Sequence, residues 1–312
     1  MKTKILTIII CLLAYFTKIN GGELNVITTL PSLASITKSI GGDLVDVKSL
    51  TKGYQDAHFI EAKPSLMFQL NKADLLIYSG LELEIGWLPL LVQGARNNKV
   101  AIGSRGNLNA SDAILKSDIL ERPKGEVDRS MGDVHPSGNP HYLLNPRNAI
   151  AVAELIADKL MELDNNNKNI YEKNLKEFIQ KLQEKTSAWE KQFSFIKGKN
   201  IVCYHPHWSY LLNWMDLNIA GYIELRPGIP PTPRHKREII DIIKTKDIKV
   251  LAISSWKEPT IAKEVANKVN AELVVLPGEV EAMPNTDDYF SWIDFLVTKI
   301  TSAYKNNYGS TK

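Results

Sequence analysis

Cysteine is nearly missing from this chain, with two in 312 residues, Cys11 and Cys203. Cys11 lies inside an N-terminal apolar run, so a mature form without that run keeps one thiol and can form no intramolecular disulfide. A basic block is missing too. Lys and Arg total 38 against 35 Asp and Glu, for a net charge of +3. They are spread along the whole length, which argues against nucleic acid as a partner. Nor does any apolar run reach the roughly 20 residues that a membrane-spanning helix needs.

The one pronounced apolar run extends from Ile5 to Phe16, behind Lys2 and Lys4 and ahead of a polar, Gly-containing segment. A basic start, a short apolar stretch and a polar end are the parts of a secretory signal. Residues 1–22 are therefore expected to be a signal peptide removed near Gly21 or Gly22, rather than a retained anchor. Ile10, not a small residue, precedes Cys11, which argues against lipidation there. Export without disulfides fits a bacterial periplasm.

Beyond the signal, 44% hydrophobic and 23% charged residues describe an ordinary globular chain, long enough for two medium domains. Apolar runs alternate with amphipathic segments, and they do so twice, which predicts α/β architecture with mainly parallel sheets. "LNVITTL", "LVDVKSLT", "DLLIYSG" and "KVAIGS" read as strands in the first half. "NIVCYHP", "NIAGYIEL", "VLAISS" and "AELVVLPG" do so in the second. "PSLASITKSI", "KPSLMFQLNKA", "SYLLNWMD", "HKREIIDIIKTKD" and "IAKEVANKVN" read as helices between them.

The two halves show no literal repeat. Between them, residues 170–195 contain neither Pro nor Gly, and Tyr171, Leu175, Phe178, Leu182 and Trp189 fall four, three, four and seven residues apart. That is one helical stripe, on a helix about 39 Å long. The expected organisation is an N-terminal lobe at 23–166, a linking helix at 167–197 and a C-terminal lobe at 198–312. The helix is expected to act as the strut, with a cleft between the lobes.

The loop "GDVHPSGNPHYLLNP" carries two of the six histidines, His135 and His141, among Gly and Pro that forbid a regular helix or a central strand. His58 follows the second predicted strand, His141 the fourth, and His205 ends the first strand of the second half. All three leave carboxyl ends of strands, where open α/β sheets place ligands. Three neutral imidazoles and a carboxylate suit tetrahedral zinc. Taken singly, each is as readily a hydrogen-bonded or surface histidine.

Four ordered motifs, "DAHFIEAKPS", "GNPHYLLNP", "YHPHWSY" and "ELRPGIPPTP", resemble those of the periplasmic metal-binding proteins of zinc and manganese ABC transporters, the zinc-uptake type of cluster A-I. The likeness spans about residues 24–304. It implies two lobes joined by one long rigid helix, and a carrier that hands a divalent ion to a membrane ABC permease. Carried over by position, it makes His58, His141 and His205 metal ligands. The fourth ligand falls in "VVLPGEVEAMPNTDDYFSW", with Glu279 nearest the slot and Glu281, Asp287 or a water as rivals.

The resemblance selects His205 over His207, which is expected at the cleft rim or in solvent. His135 either shields the site, briefly holds an arriving ion, or is a solvated loop histidine. Glu224 either hydrogen-bonds a ligand histidine or anchors its Pro-rich turn. Asn145 stands where the pattern has Asp, so a carboxylate behind His141 is expected to be missing. The long His-rich loop of many members is absent, since residues 105–134 hold no histidine. Trp208 and Trp292 are expected to pack the core or line the cleft.

Two functions fit these residues. One is a monomeric periplasmic carrier of zinc, or of manganese or another divalent transition metal. The other is a zinc hydrolase in which Glu279 or Asp287 acts as base toward a metal-activated water. Lobe symmetry and the strut favour the carrier.

Overall fold

The computed structural model describes residues 23–123, 135–225 and 229–308. The expected signal peptide, residues 1–22, lies outside them. The first lobe orders as β1 (Leu24–Thr28), α1 (Pro31–Gly41), β2 (Val45–Ser49), α2 (Pro64–Asn71), β3 (Leu75–Tyr78), α3 (Leu88–Ala95), β4 (Asn107–Asn109) and α4 (Pro146–Leu163). A 25-residue helix, α5 (Lys168–Gln192), leads out of it. The second lobe follows with β5 (Asn200–Cys203), α6 (Ser209–Trp214), β6 (Asn218–Tyr222), α7 (Pro233–Thr245), β7 (Val250–Ser254), α8 (Thr260–Val269), β8 (Glu272–Leu276) and α9 (Tyr289–Tyr308).

Both sheets are parallel and share one order, β2-β1-β3-β4 and β6-β5-β7-β8. Chain direction across each sheet reverses between its first and third strands. The crevice outside the carboxyl ends at that point is where such sheets take ligands, and here the two crevices face one another.

Several helices begin where a proline can sit without wasting a backbone donor, at Pro31, Pro64, Pro146 and Pro233. Asn145 caps α4 by accepting from the Arg147 amide at 3.1 Å. The side chain standing in place of the expected Asp thus serves the helix start.

One expected strand is wrong. "KVAIGS" forms turns, held by the Ser104 hydroxyl donating to the Lys99 carbonyl at 2.6 Å and by the Gly106 amide donating to the same oxygen at 3.1 Å. Ile102 is exposed and Gly103 takes a left-handed φ of 78°. The fourth strand is instead Asn107–Asn109, paired with Leu76–Tyr78. A short apolar run followed by Gly is ambiguous by periodicity alone, and turn chemistry decided it.

Helix α5 is about 37 Å long at 1.5 Å per residue. It buries Tyr171, Phe178, Leu182 and Trp189. Asn174 donates to the Ile40 carbonyl at 2.8 Å in the first lobe. The Trp189 indole donates to Asp294 at 2.6 Å in the second. One rigid rod is therefore fastened to both lobes.

The lobes also meet directly. Tyr289 donates from its hydroxyl to the Leu143 carbonyl at 2.6 Å and from its amide to Ser35 Oγ at 2.9 Å. Gly53 approaches so closely that a Cβ there would lie 2.1 Å from the Val280 carbonyl oxygen. Trp208 and Trp292 are buried, the latter donating to the Pro277 carbonyl at 2.7 Å. No helix among the described residues is long and apolar enough to cross a membrane.

Candidate metal centre

Five of the six histidines gather between the lobes. His58 lies on the long loop after β2, where the Trp87 indole fixes the preceding Ala57 carbonyl at 2.8 Å. Its Nδ1 bonds Asp56 at 2.6 Å, which leaves Nε2 as the lone-pair nitrogen. Burial alone would raise the Asp56 carboxyl, but the bond and charge of His58, with Lys257 behind, hold it below the usual carboxylate range.

His135, His141, His58 and His205 line one cavity of about 240 Å³, together with Glu121 and Tyr222. The Nε2 atoms of His58 and His135 are 3.2 Å apart, and their ring centroids 5.2 Å. His58 and His141 have centroids 5.3 Å apart. Two imidazoles sharing a tetrahedral zinc, with Zn–N near 2.0–2.1 Å, have nitrogens about 3.3 Å and centroids about 5 Å apart. Both spacings match that geometry. Among the described residues no three His, Cys, Asp or Glu side chains stand in ion-holding geometry.

His205 is buried, with Nδ1 3.9 Å from Glu224 Oε1. Burial, then the nearby Lys257 charge, hold its imidazole well below the ordinary value. His141 is likewise held well below by burial and by the other four imidazoles. Both are therefore neutral at pH 7, the form a metal needs.

The expectation that His207 faces the rim or solvent is overturned. It is 3% exposed, wedged edge-on against Trp208 and Trp256 with its Nε2 3.1 Å from the Gly278 carbonyl. Burial pushes its pKa down to about 3, the Gly278 bond only partly opposing it. Its ring centroid is 4.0 Å from that of His141, closer than two ligands of one ion. His207 thus backs His141 as a wall.

Glu279 lines a smaller cavity of about 30 Å³ with His58, His141 and His207. Its Oε1 accepts from the amides of Ser32 at 3.0 Å and Val280 at 2.9 Å, and its Oε2 accepts from Ser32 Oγ at 3.0 Å. The carboxylate thereby joins the second lobe to the first turn of α1, where the helix dipole favours it. Burial pushes its pKa up to about 7. Asp287 and Glu281 are exposed and line neither cavity.

The anchoring of the histidine loops was not legible in the motifs. Asn139 donates to the Pro206 carbonyl and to Glu121, both at 2.8 Å, and its own Oδ1 accepts from the His141 amide at 2.9 Å. Glu121 also accepts from Ser209 Oγ at 2.7 Å and Tyr222 Oη at 2.9 Å. The loop bearing His141 is thus tied to the loop bearing His205.

Comparison with known proteins gives a consistent picture. The family model described as zinc-uptake complex component A, periplasmic, matches residues 26–303. The metal ABC transporter substrate-binding lipoprotein ScbA of Streptococcus cristatus is 27% identical over 295 residues, 92% of this chain and 91% of its own. The manganese ABC transporter substrate-binding lipoprotein PsaA of Streptococcus pneumoniae is 27% identical, covering 91% of this chain and 90% of its own. Among solved structures, a crystal structure of ZnuA superposes with a TM-score of 0.74 at 22% identity, over 90% of this chain and 99% of that one. A cadmium-bound periplasmic metal-binding protein from Candidatus Liberibacter asiaticus gives 0.72 at 22%, over 89% and 98%.

Proposed function

We propose that this chain, which belongs to the family of zinc-uptake complex component A, captures zinc in the periplasm as a monomer and delivers it to a membrane ABC permease. The family is the substrate-binding component of metal ABC importers and not an enzyme, which removes the hydrolase reading. In this proposal His58, His141 and His205 are ligands, and His135 closes the tetrahedron. The 3.2 Å approach of His58 Nε2 to His135 Nε2, a hydrogen bond here, carries this choice, because it is close to the edge length of a zinc–imidazole tetrahedron.

Glu279 then serves as the clamp between lobes, its oxygens already taken by Ser32 and Val280. Asp56 orients the His58 ring through its 2.6 Å bond, while Glu224 places a carboxylate 3.9 Å from His205 Nδ1 without bonding it. The metal named for PsaA is manganese, yet four imidazoles without an ionised oxygen ligand favour zinc over manganese, which prefers oxygen donors.

Chelator-competition titrations with zinc and manganese test this. The wild type should bind one zinc far more tightly than manganese. His58→Ala, His141→Ala and His205→Ala should each lose at least a hundredfold in zinc affinity, and His135→Ala at least tenfold, while Glu279→Gln keeps near-wild-type affinity. A preference for manganese, or a large loss in Glu279→Gln with none in His135→Ala, would overturn the four-imidazole reading.

A further inference from the structure

Behind the imidazoles lies a charge that no ligand scheme uses. Lys257, in the turn after β7, donates its amide to the Ser254 carbonyl at 3.0 Å, and its side chain is 18% exposed. Its Nζ is 3.6 Å from Glu224 Oε1 and 3.9 Å from Asp56 Oδ2. The same Glu224 oxygen is 3.9 Å from His205 Nδ1, and the other Asp56 oxygen bonds His58 Nδ1 at 2.6 Å. One ammonium therefore stands between two carboxylates from opposite lobes, each backing an imidazole of the proposed zinc site.

Asp56 strengthens a metal site by lending negative charge through the His58 N–H, and Glu224 adds its charge beside His205 without a hydrogen bond. A fixed cation among them draws on the same charge and repels an arriving divalent ion. At these distances Lys257 makes ion pairs longer than a hydrogen bond, so the ammonium is held by charge and can give way.

Resting on the zinc reading above, we propose that Lys257 is a resident counter-cation that competes with the metal ion for Asp56 and Glu224. In the metal-free protein it neutralises the two carboxylates and holds the lobes' facing loops together. When the ion arrives, its charge takes over that role at the imidazole side. The cost of displacing the lysine's hold keeps the bound ion releasable to a permease.

Zinc affinity by chelator competition, and zinc release by stopped flow with excess chelator, are to be measured for wild type, Lys257→Met and Lys257→Arg. Met keeps an unbranched stem as far as Cε and removes the charge. Lys257→Met should bind zinc at least tenfold more tightly and release it correspondingly more slowly. Its metal-free form should melt at a lower temperature, so that zinc raises its Tm by more than it does in the wild type. Lys257→Arg should behave as wild type. If the wild type binds zinc but Lys257→Met binds it no more tightly, the counter-cation role is wrong and the site stands. If the wild type binds no zinc, both readings fall.

Discussion

The most quantitative consequence of this fold concerns His207. An imidazole held to a pKa of about 3 by burial stays neutral in the folded chain throughout ordinary acid, whereas in the unfolded chain it takes a proton near its ordinary value of 6.5. Between those values the unfolded state binds more protons, so stability falls as pH falls through 6.5. Integrated from pH 7 to pH 5, this one side chain costs the folded state about 2 kcal/mol.

His207→Gln should erase that cost, since the amide can still donate to the Gly278 carbonyl and does not titrate. Glu279, raised to about 7, works in the opposite direction over the same window. It is present in both proteins and cancels from their difference. Urea unfolding of the two proteins with chelator present, at pH 7 and pH 5, gives the comparison directly. The wild type should lose about 2 kcal/mol more than the variant between the two pH values. Equal losses would mean that His207 is protonated or hydrated in the folded chain, and the wall behind His141 would have to be redrawn.

Zinc binding at pH 6 should release no more than two protons, because His141 and His205 are held neutral by burial; four ordinary imidazoles would release about three. Calorimetry in buffers of different ionisation enthalpy counts them. Trp189→Ala should cost about 3–5 kcal/mol, the range for a large buried aromatic, and a smaller loss in urea melts would show that α5 is not the strut its packing indicates. Asn139→Ala leaves every proposed ligand in place but frees the His141 loop from Pro206 and Glu121. It should weaken zinc binding about tenfold, in line with other residues that orient ligands. Zinc should leave small-angle scattering dimensions unchanged while raising hydrogen-exchange protection at 135–146 and 277–288, since α5 is bonded to both lobes; a clear compaction would contradict this.

Much of this could be read from the chain alone, because the signals were local. The stripe from Tyr171 to Trp189 declared a helix and its buried face. The apolar runs declared seven of the eight strands, and the ends of two of them declared where His58 and His205 would meet; His141 was placed after the misread fourth. What escaped depended on contacts between residues far apart in sequence.

Nothing near His207 announces that Trp256 and Gly278 would enclose it, and nothing near Glu279 announces Ser32, 247 residues away. The pairing of His135 with His58 closes a span of 77 residues, and no spacing rule anticipates it. The misread strand at "KVAIGS" failed for the opposite reason. There a local signal existed, in Gly103 and the Ser104 hydroxyl, and it was outweighed by apolar content.

The bond from Asn139 to the Pro206 carbonyl reaches further than its 2.8 Å. His58, His135 and His141 all belong to the first lobe, so in the proposed site they form a partial cage that is completed only when the loop bearing His205 docks. Without Pro206 the Asn139 amide has no crosspiece to grip, and without His205 the cage lacks its one imidazole from the second lobe. A first lobe without the second is expected to hold an ion only loosely. Firm capture then requires that the second half has folded and docked on the first.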